Sequence, residues 1–183
     1  MSEELLIQHC SPTLAGLKTG SLFSCPCQSE EEVRREVRRL NQLLVPKGLS
    51  VLPLRCMGGR ALIYLYRPDW LRRDLAQQSV SRLLERMGYV CLSPDQCLVE
   101  LTRRLQREAG FPHEIGLFLG YPPEDVQGFI EHGGKGYKCV GCWKVYGDAE
   151  QAQKRFALYQ KCTEHYCRQW SRGASIGRLT VAV

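Results

Sequence analysis

The segment from Ser29 to Tyr66 constrains the fold more than any other part of the chain. Ser29-Glu30-Glu31-Glu32 has the form of a capping box, with acids in the first turn where the helix dipole favours negative charge. Val33, Val37, Leu40 and Leu44 then recur at helical spacing, and Arg34, Arg35, Arg38 and Arg39 lie mainly around the other faces. Pro46-Lys47-Gly48 ends that helix. Two β-prone runs follow, Ser50 to Cys56 and Arg60 to Tyr66, joined across Met57-Gly58-Gly59, and they read as a hairpin. Pro53 has no N–H to donate, so the first of these strands belongs at a sheet edge or a bulge.

The remaining punctuation predicts further helices. One starts at Asp69 and runs to about Met87, with Leu71, Leu75, Leu83, Leu84 and Met87 inward and Gly88 as its stop. Ser93-Pro94 opens another, whose core face is Cys97, Leu98, Leu101 and Leu105 and which Gly110 closes. Pro123-Glu124-Asp125 starts a short helix through Ile130, and Asp148 caps a long one with Ala152, Phe156, Tyr159 and Tyr166 on one side. Tyr137 to Tyr146 reads as a strand, as does the alternating tail from Ile176 to Val183. Helices and strands intermix without strict βαβ regularity, so the expected class is α+β: one domain over residues 1–183, with a small mixed or antiparallel sheet and about five to six helices.

A chain of 183 residues with 44% hydrophobic and 24% charged residues is too apolar for a disordered protein. It has no apolar run near 18 residues, so no membrane span is expected. The N-terminal stretch carries Glu3 and Glu4 and lacks a basic region and a long apolar region, which points to a cytoplasmic protein. The net charge of +6 is local: between Arg34 and Glu108 there are 15 basic and 7 acidic residues. No aromatic-rich strand motif or helix-turn-helix signature accompanies them, so nucleic acid is not expected as a partner. An Arg-rich face meeting some other anionic partner, in a non-catalytic binding module, is one functional reading.

Ten cysteines against four histidines are the unusual count. In a reducing cytoplasm they point to metal ligation, redox or nucleophilic chemistry, or core filling rather than to disulfides. Cys139-Val140-Gly141-Cys142 has the spacing that chelates one ion, provided a turn intervenes at Gly141, and Cys25-Pro26-Cys27 is a close pair. Together the pairs would offer four thiolates to zinc or iron, with Cys162, His165 and Cys167 as further ligands. The Cys139–Cys142 pair also reads as a redox dithiol, for which a redox protein would be the partner. Cys56, Cys91 and Cys97 read as core residues, and the glycine-rich Gly133 to Gly136 as a connection rather than a phosphate cradle.

Phe111 to Pro122 sets a His–Glu pair inside an apolar stretch. Cys10 precedes Ser11-Pro12-Thr13-Leu14, which can begin a short helix, and a Cys at a helix start is a better nucleophile or ligand. His113 is then the candidate base, oriented by Glu114 or Asp148, and Lys18 is a lesser candidate for the same pocket. An early Cys, then a His opening an apolar run that ends Gly120-Tyr121, is similar to papain-like thiol enzymes and implies a hydrolase or acyl transferase, with Glu114 to Tyr121 as a strand. The same run also reads as a short helix capped at Gly120, with Glu114 at its N-terminus.

Pro112-His113-Glu114 and Leu119-Gly120-Tyr121-Pro122 resemble the two signature motifs of the domain-of-unknown-function family 3793. His9-Cys10-Ser11-Pro12 and Trp143-Lys144-Val145-Tyr146-Gly147-Asp148 resemble that family as well, so the likeness spans nearly the whole chain. It implies an uncharacterised protein of anaerobic bacteria and no particular activity. Joined to the cysteine spacing, it leads to an expectation of thiol-, metal- or redox-linked chemistry in anaerobic metabolism, with Cys10, His113 and Glu114 as one site.

Overall fold

A computed structural model describes residues 2–90, 93–107 and 110–182. The class is α+β, and the chain groups into two compact units: residues 1–69 with 159–183, and residues 70–158.

The first unit is built on a three-stranded antiparallel sheet of order β1-β3-β2, with β1 Gly20–Pro26, β2 Ser50–Met57 and β3 Arg60–Tyr66. The hairpin forms as its glycines require, since Gly58 and Gly59 both take positive φ. Pro53 lies on an edge strand and beside a register shift between Pro53 and Arg55, so both roles expected of it hold. Helix α2 (Glu30–Leu44) is capped by Ser29, whose hydroxyl accepts from the Glu32 N–H, and it buries Val33, Val37, Leu40 and Leu44. A 3-10 turn over Val45–Lys47 and left-handed Gly48 end it. Helix α1 (Glu3–Leu14) packs Leu6, Ile7, Cys10 and Leu14 into the same core as Phe23, Ile63 and Leu65.

Helix α1 has no basic residue in its last turn. The deficit is met from the end of β3: Arg67, 1% exposed, donates to the Thr13 and Leu14 carbonyls at 2.9 Å and to Val181 at 2.8 Å. A buried guanidinium thus satisfies the helix C-terminus and ties the chain's last segment to it.

Three expectations for this unit need correcting. Strand β1 was not foreseen, because its alternation of buried Ser21, Phe23 and Cys25 is short and runs into Pro26. Cys10 does not stand at a helix start: Ser2 caps α1 and Cys10 lies well inside it, with Pro12 accommodated in the last turn. The tail is not a strand. Ile176–Leu179 forms the short helix α9, Thr180 Oγ1 donates to the Ile176 carbonyl at 2.7 Å, and the Val181 N–H goes to the Leu14 carbonyl at the end of α1.

Among its described residues the second unit is helical apart from loops and one tight hairpin. The expected helix from Asp69 to Met87 is two, α3 (Pro68–Leu75) and α4 (Gln78–Arg86). From buried Leu75 to buried Val80 is five residues, well off a helical stripe, and extended Gln77 restores the phase. Helix α5 (Pro94–Arg107) buries Cys97, Leu98, Leu101 and Leu105 as expected. The expectation that Cys91 is a core residue lies outside the described residues. Then come α6 (Ile115–Phe118), α7 (Pro123–Glu131) and two strands of two residues each, β4 (Cys139–Val140) and β5 (Lys144–Val145). Instead of the single strand expected from Tyr137 to Tyr146, the chain turns back at Gly141. Helix α8 (Ala149–Ser171), capped by Asp148 at the Gln151 N–H, gives residues 149–158 to this unit and the rest to the first. Nine α-helices are counted among the described residues, against five or six expected, because the sequence concealed the α3–α4 break and α9 and offered α6 only as the alternative to a strand.

Candidate functional site: an aromatic cleft carrying a thiol

In the second unit, α6, α7 and the β4–β5 hairpin line a cleft of about 340 Å³. Both family-like motifs build it. Pro112 and His113 offer carbonyls to the Ile115 and Gly116 N–H groups and lead into α6. Gly120, at φ 74°, ends that helix, and Pro122 and Pro123 start α7. The run is therefore a helix–turn–helix corner and not the strand that the papain-like reading requires. Gly116 lets the two helices close, since a Cβ there would come within 2.7 Å of Val126 Cγ2.

The hairpin is seated on α7 by two residues one turn apart. The buried Asp125 carboxylate accepts three bonds of 2.7 Å, from Trp143 Nε1 and from the Tyr146 and Gly147 N–H groups. At Gly128 a Cβ would stand 2.4 Å from Tyr146 Cγ, so only glycine allows this approach. Gly141 is pressed as closely onto Phe156, 2.3 Å from where its Cβ would be. The Trp143 ring then stacks on Tyr121 at 4.7 Å and meets Phe156 edge-on at 4.6 Å, and the Tyr121 hydroxyl donates to the Cys142 carbonyl at 3.3 Å.

Three polar side chains join the apolar walls of Ile115, Val126 and Phe129. Exposed His113 meets Phe129 edge-on at 4.7 Å. Lys144 donates to the Gly134 carbonyl at 2.7 Å and lies over the Tyr137 ring at 4.8 Å and the Phe129 ring at 5.6 Å. Exposed Cys142, at the hairpin turn, brings a thiol. Sequence reasoning singled out His113 and Cys142 but assigned no role to Lys144, Trp143, Tyr121 or Phe129. The signal for three of them was present in the Tyr121 and Trp143-Lys144 motifs.

Glu114 belongs to a different cluster. It is 3% exposed, and its carboxylate accepts from the Tyr89 hydroxyl at 3.1 Å and Arg104 Nη1 at 3.2 Å, while Arg104 covers the Tyr89 ring at 4.1 Å. Burial, and then the charge of Glu114, push the Tyr89 hydroxyl well above its ordinary range, so it stays a proton donor. This carboxylate is an anchor for the start of α6.

The other candidate residues are divided between the two units. Cys10 is fully buried in the first unit, and burial pushes its thiol up to about 12, against smaller opposing effects of Lys18 and a Ser21 hydrogen bond. Neither unit alone contains Cys10 together with His113 and Glu114. Cys25 and Cys27 lie in the first unit, Cys139 and Cys142 in the second. Among the described residues no group of three or more His, Cys, Asp or Glu is arranged to hold a metal ion. Cys162, half-buried on α8, has its thiol raised to about 11 by burial.

No curated protein and no solved structure matches the chain. A family model described as a protein of unknown function, DUF3793, matches residues 6–180, nearly the whole chain, and takes in both motifs that shape the cleft. The chain therefore belongs to the DUF3793 family.

Proposed function

We propose that the second unit binds a small, flat, largely apolar molecule carrying an anionic group, and that Cys142 supplies thiol chemistry at the wall of its cleft. The observation that carries this reading is the lining: aromatic and aliphatic side chains on α6, α7 and the hairpin, with a thiol, an imidazole and an ammonium on one cleft. Its volume stands near the lower end of the range for ligand pockets, roughly 300–1,000 Å³. Lys144 favours an anion, and the rings of Tyr121, Trp143 and Phe129 favour a planar apolar body. The Asp125 carboxylate is taken up by three N–H donors. Cys142, exposed on the same cleft as His113, replaces Cys10 as the nucleophile of a thiol-linked activity, because a thiol held protonated by burial does not attack.

The test is alkylation of the reduced native protein with iodoacetamide at pH 7, followed by peptide mapping. Cys142 is expected to react early and Cys10 not at all. At about 10 mM, 1-naphthoate is expected to slow the Cys142 reaction roughly tenfold if its Kd is ~1 mM, and 1-naphthalenemethanol, which lacks the charge, to protect less. An unchanged Cys142 rate with an unchanged tryptophan emission at that concentration overturns the reading.

A further inference from the structure

Lys144 lines the cleft, and a second lysine stands just outside that lining. Lys144 Nζ donates to the Gly134 carbonyl at 2.7 Å. Lys135 follows Gly134, so the fixed geometry of the peptide puts its Cα within about 6 Å of the Lys144 ammonium. From there its flexible four-carbon stem can bring a second ammonium to the same point. Lys135 is exposed, and no hydrogen bond or ion pair among the described residues engages its side chain.

The charge around the two lysines is one-sided. From His132 to Gly147 the sequence holds Lys135, Lys138 and Lys144 and no Asp or Glu. The flanking acids are engaged elsewhere: Glu131 accepts from Gln127 Nε2 at 2.6 Å, and Asp148 caps α8 at the Gln151 N–H. Asp125, the acid of the cleft wall, is buried and takes three N–H donors. Lys144 thus has a carbonyl and the ring faces of Tyr137 and Phe129 as partners, and no carboxylate among the described residues. Lys138 is held by the Gly147 carbonyl at 2.6 Å. The glycine-rich loop is not a cradle of backbone donors, because the Gly134 and Lys135 N–H groups are spent on the Phe129 and His132 carbonyls. Its contribution is a side chain: the turn through Gly133, Gly134 and Gly136, all at positive φ, sets Lys135 beside Lys144.

We infer, resting on the ligand reading of the cleft, that its anionic group is a phosphate monoester on a planar aromatic body, held between Lys144 and Lys135. A carboxylate brings one charge and two oxygens, which one ammonium answers. A phosphate monoester brings a charge of about −1.5 to −2 at pH 7 and three acceptor oxygens, which match a pair. Lys144 keeps N–H donors for it beyond the one given to Gly134, since an ammonium has three. The aromatic body lies against the apolar lining, and Lys135 closes on the phosphate from the solvent side.

The experiment measures protection of Cys142 from iodoacetamide in the full reduced chain, at pH 7 and low salt. The probes are 1-naphthyl phosphate, 1-naphthalenesulfonate and 1-naphthoate, one ring system with a dianion, a tetrahedral monoanion and a planar monoanion. Naphthyl phosphate should reach half-protection at a concentration roughly fivefold below either monoanion, the gain that one further exposed ion pair of about 1 kcal/mol supplies. Lys135→Gln should bring it to within about twofold of naphthoate, whereas Lys154→Gln, on the exposed side of α8, should keep the gain. Raising the salt to about 0.5 M should narrow the difference. Inorganic phosphate at the same concentrations should leave the Cys142 rate unchanged, because it lacks the ring. Equal protection by the three probes overturns the inference, as does a gain that survives Lys135→Gln or protection by inorganic phosphate alone. Naphthoate that protects while naphthyl phosphate does no better leaves the reading of the cleft standing; failure of all three probes removes both.

Discussion

Burial keeps the Cys10 thiol protonated to about pH 12 in the folded chain, whereas in the unfolded chain it ionises near its ordinary value of 9.0. Below pH 9 both states hold the proton and pH has no effect through this group. Between pH 9 and 12 the unfolded chain sheds a proton that the folded chain retains, so stability falls as pH rises, by up to ~1.4 kcal/mol per pH unit. Cys10→Ala should cost about 1 kcal/mol at pH 7, for the lost sulfur and the small cavity, and then lose progressively less ground to the parent from pH 9 to 10.5. Urea denaturation of both proteins across that range reads the difference, and other titrating groups cancel in it. A gap that is independent of pH would show that Cys10 ionises normally. Arg67 is the opposite case, a charge whose partners are carbonyl dipoles. Arg67→Met takes a charged donor from three carbonyls, two of them at a helix C-terminus, and should cost about 2–4 kcal/mol by the same measurement. Arg67→Lys should recover little of this, since one ammonium does not reproduce the fork that reaches Thr13, Leu14 and Val181 together.

Helix α7 determines where the thiol-bearing hairpin sits. Gly128→Ala gains about 1 kcal/mol of helix propensity but forces a Cβ to within 2.4 Å of Tyr146, and overpacking of that kind costs ~1–3 kcal/mol. The variant should be less stable despite its better helix former, and naphthoate should protect its Cys142 less; equal stability and equal protection would show that the hairpin moves freely. Both features of α7 were only half legible. Pro123-Glu124-Asp125 announces a helix start locally, and the helix is there. That Asp125 spends its carboxylate on Trp143, Tyr146 and Gly147 depends on residues 18 to 22 positions away, which no window of the sequence brings together. Helix α2, its cap and the β2–β3 hairpin were legible because spacing and turn glycines within one segment settle them. Strand β1 was not, because what makes it a strand is pairing with β3, well downstream. The tail misled in the other direction: alternating Leu179 and Val181 have a strand's pattern, but the Val181 N–H is taken by the end of α1. At the site, the single strand expected from Tyr137 to Tyr146 hid the turn at Gly141, which the cysteine spacing raised only as a condition for chelation, while Cys10 drew attention through neighbours that are buried with it inside α1.

Each compact unit has about 90 residues, a size at which a core buries only some 60–65% of the surface its chain exposes when unfolded, so each has a small margin alone. The chain of the first unit is interrupted: residues 70–158 are inserted between its sheet and the second half of α8. Unfolding the second unit removes the packing of residues 149–158, including Ala152 and Phe156, and frays α8 toward Tyr159 and Tyr166, which the first unit buries. A helix frays far more readily from an end than from its interior, so the loss passes along α8. The two units should therefore melt together, as one domain over the whole chain, with calorimetric and van't Hoff enthalpies equal within error. Phe156→Ala, in the second unit, should lower the single midpoint and shift the near-ultraviolet signal of Trp170, in the first unit, to the same lower temperature. Two resolved transitions, or a Trp170 signal that keeps its original midpoint in that variant, would make the units separate domains and confine the cleft's stability to residues 70–158.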